Sequence, residues 1–155
     1  MQIGPLRDGE ARALYELFAL AVAAGEGYPH HPPLTWEVFE ESWLTHSSAV
    51  VVARVDDEVV GGYYLKPNQP GRGAHIANAG YLVAAASRGR GVGRALVLDS
   101  IERAPRYGFD AIQFNFVFAS NPARPMYEEL GWYEIGRVPR AFEGEEAIIY
   151  WRDVP

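Results

Sequence analysis

The chain has 155 residues, 48% of them hydrophobic and 13% aromatic, with a formal net charge of −6 and no cysteine. That length and apolar content suit one globular domain spanning residues 1–155, and they exclude disorder, a disulfide framework, a thiol nucleophile and a cysteine zinc site. The acidic balance argues against a nucleic-acid partner, no apolar run reaches the ~20 residues of a spanning helix, and no leader opens the chain, so a soluble cytoplasmic protein without a membrane partner is expected.

The opening MQIGPL is short and apolar, and Asp8 is placed to cap a helix. Leu14, Leu17, Phe18 and Ala21 fall on one face of that helix, and Gly25 is its expected stop. YPHHPPL, residues 28–34, reads as a rigid connector, after which Thr35 caps a short helix burying Trp36, Phe39 and Trp43. AVVVARV and VVGGYYL are β-rich runs joined by Asp56-Asp57-Glu58, the pattern of a hairpin. Residues 66–73, KPNQPGRG, read as a long loop feeding the strand HIANAGYLV.

Next comes a loop of alternating arginine and glycine, then a helix with Val97, Leu98, Ile101 and Ala104 on one arc and Asp99, Glu102 and Arg103 on the other, ended by Pro105. AIQFNFVF predicts a strand with Ile112, Phe114, Phe116 and Phe118 on one face. Strands around WYEIGRV and EAIIYW close the chain, giving an α+β order, β-α-α-β-β-β-α-β-α-β-β.

The arginine–glycine loop carries the most chemistry. Gly89, Gly91 and Gly93 let backbone N–H groups approach a ligand, Arg88, Arg90 and Arg94 surround them with positive charge, and the loop stands at a helix N-terminus. A diphosphate ligand follows. A P-loop is excluded because Lys66 is the only lysine, and the alternating glycines do not fit the dinucleotide fingerprint. Alone, the loop is also compatible with a Gly-rich turn ahead of an exposed arginine-bearing helix, and Arg90 with a simple surface charge.

Arg88 to Gly93, Arg-x-x-Gly-x-Gly entered from a strand, resembles the acetyl-CoA loop of the GNAT-superfamily N-acetyltransferases. FNFVFASNPARPMYEELGW resembles the second half of the same fold, with Asn121, Tyr127, Gly131 and Trp132 at its marked positions. The resemblance implies a mixed sheet of six to seven strands splayed between the fourth and fifth, flanked by about four helices. It implies acetyl-CoA as co-substrate, held by backbone groups of Leu82 and Val83, by Arg88, Gly89, Gly91, Val92, Gly93 and Arg94, and by Asn121, with no metal. It also implies Tyr127 as the acid for the departing thiolate, where the plain alternative is a core tyrosine packed beside Leu130. Pro125 predicts that the helix carrying Tyr127 starts there, which displaces Asn121 from a capping position. A homodimer is a further implication of the family.

Asn78 and Asn115 interrupt the two strands that would part around the cofactor. Their carboxamides suit either an acceptor's carboxylate and amine or backbone groups left open where the sheet divides. KPNQPGR, HIANAGYLV, SRGRGVG and FNFVFASN are similar to the GNAT branch that includes yeast azetidine-2-carboxylate N-acetyltransferases. That closer resemblance implies acceptor-binding roles for both asparagines and a small cyclic imino acid or other amino acid as acceptor. His75 reads as a surface histidine; His30 and His31, in the connector that covers the acceptor site in GNAT folds, read either as contributors to deprotonation or, preferably, as solvated loop residues, so a water-relayed deprotonation without a named base is expected. The competing expectations are an acetyltransferase acting on a protein or peptide amine and a non-catalytic acetyl-CoA-binding module.

Overall fold

The structure is a computed structural model that describes residues 1–155. Its frame is a seven-stranded sheet in the order β1-β2-β3-β4-β5-β7-β6. The strands are β1 (Gln2–Pro5), β2 (Ala49–Val55), β3 (Glu58–Pro67), β4 (Ile76–Val83), β5 (Ala111–Phe118), β6 (Tyr133–Phe142) and β7 (Glu145–Asp153). Every pair is antiparallel except β4 with β5. The helices are α1 (Ala11–Ala23), α2 (Trp36–Phe39) running into a π-helical segment to Thr45, α3 (Val92–Arg103) and α4 (Arg124–Glu129). This is the α+β architecture anticipated above, and none of its helices is long and apolar enough to cross a membrane.

Strand alternation divides the core into two layers. Val51, Ala53, Tyr63, Leu65, Ala77 and Ala79 face α3 and α4, together with Leu96, Ile101, Phe114 and Tyr150. Val52, Tyr64 and Leu82 face the other way and meet Leu14 and Phe18 of α1 and Phe39 and Trp43 beyond the connector. The period of two in β2 and β3 therefore sorts side chains between layers as the sequence pattern requires. Asp56 and Asp57, at φ 49 and 64, form the β2–β3 turn, whose left-handed pair matches strand twist.

Several expectations need correction. Helix α1 is not capped by Asp8; its first residue is Ala11, preceded by Glu10. The Glu10 carboxylate instead accepts from the Arg7 N–H (2.7 Å) and from Arg54 (2.5 and 2.7 Å), a buried guanidinium on β2. Leu98 is exposed, and Leu96 takes the core position in α3. Trp36 is half-buried, edge-on to Tyr15 at 5.5 Å. Lys66 and Pro67 belong to β3, so the loop ahead of β4 is shorter than its proline and glycine content suggests.

The correction that matters most lies in β5. Phe114 pairs with Tyr150 and Val117 with Ile148, so Asn115 and Phe116 together oppose a single residue of β7. This bulge inverts the alternation: Val117 joins Phe114 in the core facing α3, while Phe118 turns to the opposite face and stacks on Phe142 at 4.5 Å. Phe116 and Phe118 thus do not share the face of Ile112 and Phe114. A bulge bends its strand and sharpens the local twist. Here it sits just beyond the last β4–β5 pair, Asn78 with Gln113, where the two parallel strands part.

Candidate active site

The gap between β4 and β5 sets the geometry of the site. The N–H of Ala84 donates to Val60 of β3 (2.8 Å), and the N–H of Asp110 donates to the carbonyl of His75 (2.8 Å). Alternation between these points directs the amides of Ala79, Tyr81 and Val83 into the gap and that of Leu82 toward β3. Of the two residues expected to hold an extended ligand, Val83 therefore presents its backbone to the gap, and Tyr81 is its partner. Leu82 lines the gap beside them. The Tyr81 carbonyl already accepts from the Tyr28 hydroxyl at 2.7 Å.

One end of the gap leads to the arginine–glycine loop. Gly89 and Gly91 have φ of 73 and 82, a left-handed conformation that disfavours any side chain. No backbone N–H from Gly89 through Arg94 donates to a carbonyl or side chain; the first to do so is Ala95, to Gly91 at 3.0 Å. This run of amides includes Val92 and Gly93 at the start of α3 and has the form of an anion cradle. Arg88 is paired with Glu26 at 2.5 Å and Arg94 with Glu129 at 3.0 Å, whereas Arg90 makes no ion pair. A cavity of about 390 Å³ runs from Arg88 and Glu26 past Tyr81 and Val83 to Asn121.

The other end opens into a cavity of about 210 Å³ that shares Tyr28, Tyr81 and Asn121 with the first. Asn78, Asn115, Phe114, Tyr64, His30 and Tyr127 complete the main walls, and no carboxylate is among its lining residues. The Asn78 amide donates to the Gln113 carbonyl (3.1 Å) and its oxygen receives the Tyr64 hydroxyl (3.4 Å). Asn115 donates to Asn68 (2.6 Å) and accepts from Gln113 (3.0 Å). Asn78 therefore ties the strands together at their point of division, while Asn115 is exposed on the bulge. Both carboxamides face one cavity.

Tyr127 belongs to the core and to the cavity wall at once. Its ring lies 4.8 Å from that of Phe114, its hydroxyl takes no hydrogen bond from the chain, and burial pushes its phenol up to about 12. Helix α4 begins at Arg124, with Pro125 inside its first turn. Asn121 stands ahead of that helix and accepts the Ala123 N–H at 2.8 Å, leaving its side-chain N–H groups toward the two cavities it lines.

Two residues were missed and the environment of a third was misjudged. Tyr28 spans the junction of the cavities, Tyr81 supplies the gap-facing backbone, and His30 is not a solvated loop histidine. The His30 ring packs against Phe18 (5.2 Å) and Tyr28 (6.1 Å) and lines the acceptor-side cavity, while His31 is exposed. The aromatic spacing of YPHHPPL held the only signal: its tyrosine and first histidine fold onto α1 as hydrophobic residues would. His75 is exposed and contacts the Arg72 carbonyl at 3.0 Å. No three His, Asp or Glu side chains converge on a metal-sized site.

A divided parallel pair, an unpartnered amide loop ahead of α3 and a tyrosine on α4 define an acyltransferase-type site. Residues 11–132 match the acetyltransferase (GNAT) family, and the chain belongs to it.

Among solved structures, a GCN5-related N-acetyltransferase from Kribbella flavida is 40% identical and superposes with a TM-score of 0.90 over 99% of this chain and 97% of that one. A phosphinothricin acetyltransferase from Sinorhizobium meliloti, solved in complex with AcCoA, shares the fold at 16% identity, with a TM-score of 0.87 over 99% of this chain and 88% of its own. The N-acetyltransferase aca1 of Schizosaccharomyces pombe is 35% identical over 114 residues, which cover 70% of this chain and 54% of the yeast protein. The chain thus spans about half the length of that relative.

Proposed function

We infer that the protein is an acetyl-CoA-dependent N-acetyltransferase acting on a small amine-bearing molecule, with an amino acid or cyclic imino acid as the favoured acceptor class. The observation that carries this reading is the pair of cavities meeting at Tyr28, Tyr81 and Asn121. One is edged by Arg88, at the head of the free amide loop; the other is small, neutral and lined by carboxamides. A cavity of about 210 Å³ suits a compact acceptor better than a peptide chain.

In this reading the amides of Gly89, Gly91, Val92 and Gly93, with Arg88 and Arg94, take the diphosphate of acetyl-CoA. The pantetheine arm pairs with Tyr81 and Val83 as an added strand, displacing the Tyr28 hydroxyl from the Tyr81 carbonyl. A gap-facing N–H then polarises the thioester carbonyl, a contribution of about 2.7–4 kcal/mol to the transition state. Tyr127 returns a proton to the leaving sulfur; a phenol near 12 is fully protonated at neutral pH and available to donate. Asn78 and Asn115 orient the acceptor, each exchanging a hydrogen bond it now makes, Asn78 to the Gln113 carbonyl and Asn115 to Asn68 and Gln113, for one to the ligand.

The test is thiol release from acetyl-CoA with a panel of amines, free amino acids, cyclic imino acids and peptides. Any thiol titrated is product, because the chain has no cysteine. Turnover with free amino or imino acids ahead of peptides supports the reading. Preference for peptides redirects it to a protein acceptor, and thermal stabilisation by acetyl-CoA without turnover on any amine makes the chain a binding module.

A further inference from the structure

The site as described lacks a group to remove the acceptor's proton. An aliphatic amine, with a pKa of ~10, is an ammonium ion at neutral pH and cannot attack a carbonyl until it loses a proton. The acceptor-side cavity has no carboxylate to receive it, and Tyr127 is protonated and committed to the sulfur. One nitrogen base remains on the wall.

We propose that His30 is the general base that deprotonates the acceptor ammonium, directly or through one water. Neither ring nitrogen has a strong partner. Nε2 makes only a 3.4 Å contact with the Ser42 hydroxyl, and Nδ1 is closed off from solvent with no hydrogen bond at all. The enclosed Nδ1 is out of reach of water, so Nε2, tied only by that long contact, is the atom left to take a proton.

The ring is held in place by Phe18, Tyr28 and the flanking Pro29, so its direction is set by packing and not by a hydrogen bond that protonation would have to break.

The surroundings keep the ring neutral. Burial lowers its pKa below the usual histidine value, and the Lys66 ammonium lowers it further. Lys66 lies over the Tyr64 ring at 4.5 Å and donates to the Ser42 carbonyl at 3.1 Å, with the Glu41 charge acting on Lys66. The other titratable groups lining this region are the phenols of Tyr28, Tyr64, Tyr81 and Tyr127, all raised by burial and uncharged. Lys66 also opposes retention of an imidazolium, so the proton is passed on to solvent after each turnover.

The protons balance. One leaves the ammonium to His30 and then to solvent. The free amine attacks the thioester carbon, the C–S bond breaks, and Tyr127 protonates the sulfur. Tyr127 is reprotonated by the N–H proton released as the amide forms. The sum is ammonium plus thioester giving amide, thiol and one proton.

This assignment rests on the reading of the site as an amine acetyltransferase. The experiment is the pH dependence of kcat/KM for wild type, His30→Gln and the neighbouring control His31→Gln, with acetyl-CoA calorimetry on the same samples. The wild type should reach its plateau below pH 7, and His31→Gln should follow it. His30→Gln should lose about 10²-fold or more at neutral pH, bind acetyl-CoA as before, and recover steadily toward pH 10 as free amine becomes available.

A His30→Gln profile parallel to wild type overturns the assignment while leaving the enzymatic reading intact. No turnover by wild type with any amine overturns both. If His30→Gln does not bind acetyl-CoA, an NMR titration of His30 in the wild type decides: agreement with the kinetic pKa supports the assignment and disagreement overturns it.

Discussion

At the scale of single residues, the site depends on burial adjusting proton affinities in opposite senses. Burial favours the neutral form of both phenol and imidazole, so Tyr127 keeps its proton and His30 stays without one at the same pH. The proposed acid and base, which line one cavity, then carry the protonation states their roles require. Tyr127→Phe removes the proposed acid while preserving the ring that packs on Phe114. It should lower kcat by about 10²-fold with acetyl-CoA affinity unchanged, read by steady-state kinetics and calorimetry. Because the phenol lies near 12, the wild-type rate should show no loss from this group below pH 10. A wild-type rate in the phenylalanine variant at every pH would remove Tyr127 from the acid role.

At the scale of elements, the loop 88–94 and the segment after α1 are held together by one exposed ion pair, Arg88 with Glu26. The carboxylate occupies a cation assigned, in the proposed function, to the diphosphate of acetyl-CoA. An exposed pair contributes about 0.2–1 kcal/mol, so Glu26→Gln should tighten acetyl-CoA binding by about 1.4- to 5-fold, more at low ionic strength. Weaker binding on calorimetry would mean that Glu26 instead holds Arg88 in position for the ligand.

The same elements show what a sequence pattern can and cannot carry. The amide loop was legible because glycines at 89 and 91 need positive φ and nothing else about the loop competes with that. The face of Phe116 and Phe118 was not, because a bulge adds one residue and reverses every later side chain in the strand. Its cause lies in the pairing with β7, which no local pattern in β5 reports. Leu96 and Leu98 were exchanged for a similar reason: two leucines sit two apart, and only the packing of α3 on β3 and β4 chooses between them. His30 was misread because polarity suggests solvent, whereas the connector folds its ring against α1.

At the scale of the whole molecule, the first strand, α1 and β2 are joined by a buried charge. Arg54 is 3% exposed, donates to Glu10 and to the Pro5 carbonyl, and holds the Glu10 carboxyl below the usual carboxylate range through its hydrogen bonds. Glu10→Gln would leave the guanidinium buried without its counter-charge, at a cost of about 3 kcal/mol and a fall in Tm of about 6–12 °C. The linkage has a definite sign. Glu10 is lowered in the folded state, so its contribution is complete above the ordinary carboxylate range of the unfolded chain and is lost as pH falls through the lower folded value. Thermal melts from pH 7 to pH 3 should therefore converge for the wild type and Glu10→Gln at the acid end. Parallel curves would show that the pair is not coupled to folding.

The central claim is that the unpartnered amides from Gly89 to Arg94 receive the diphosphate of acetyl-CoA. Isothermal calorimetry of acetyl-CoA with the wild type and with the double variant Arg88→Ala, Gly91→Ala tests it most directly, with circular dichroism confirming that both are folded. The wild type should bind at one site per chain, and the double variant should show no measurable binding. Undiminished binding in a folded double variant, or none in the wild type, would contradict it.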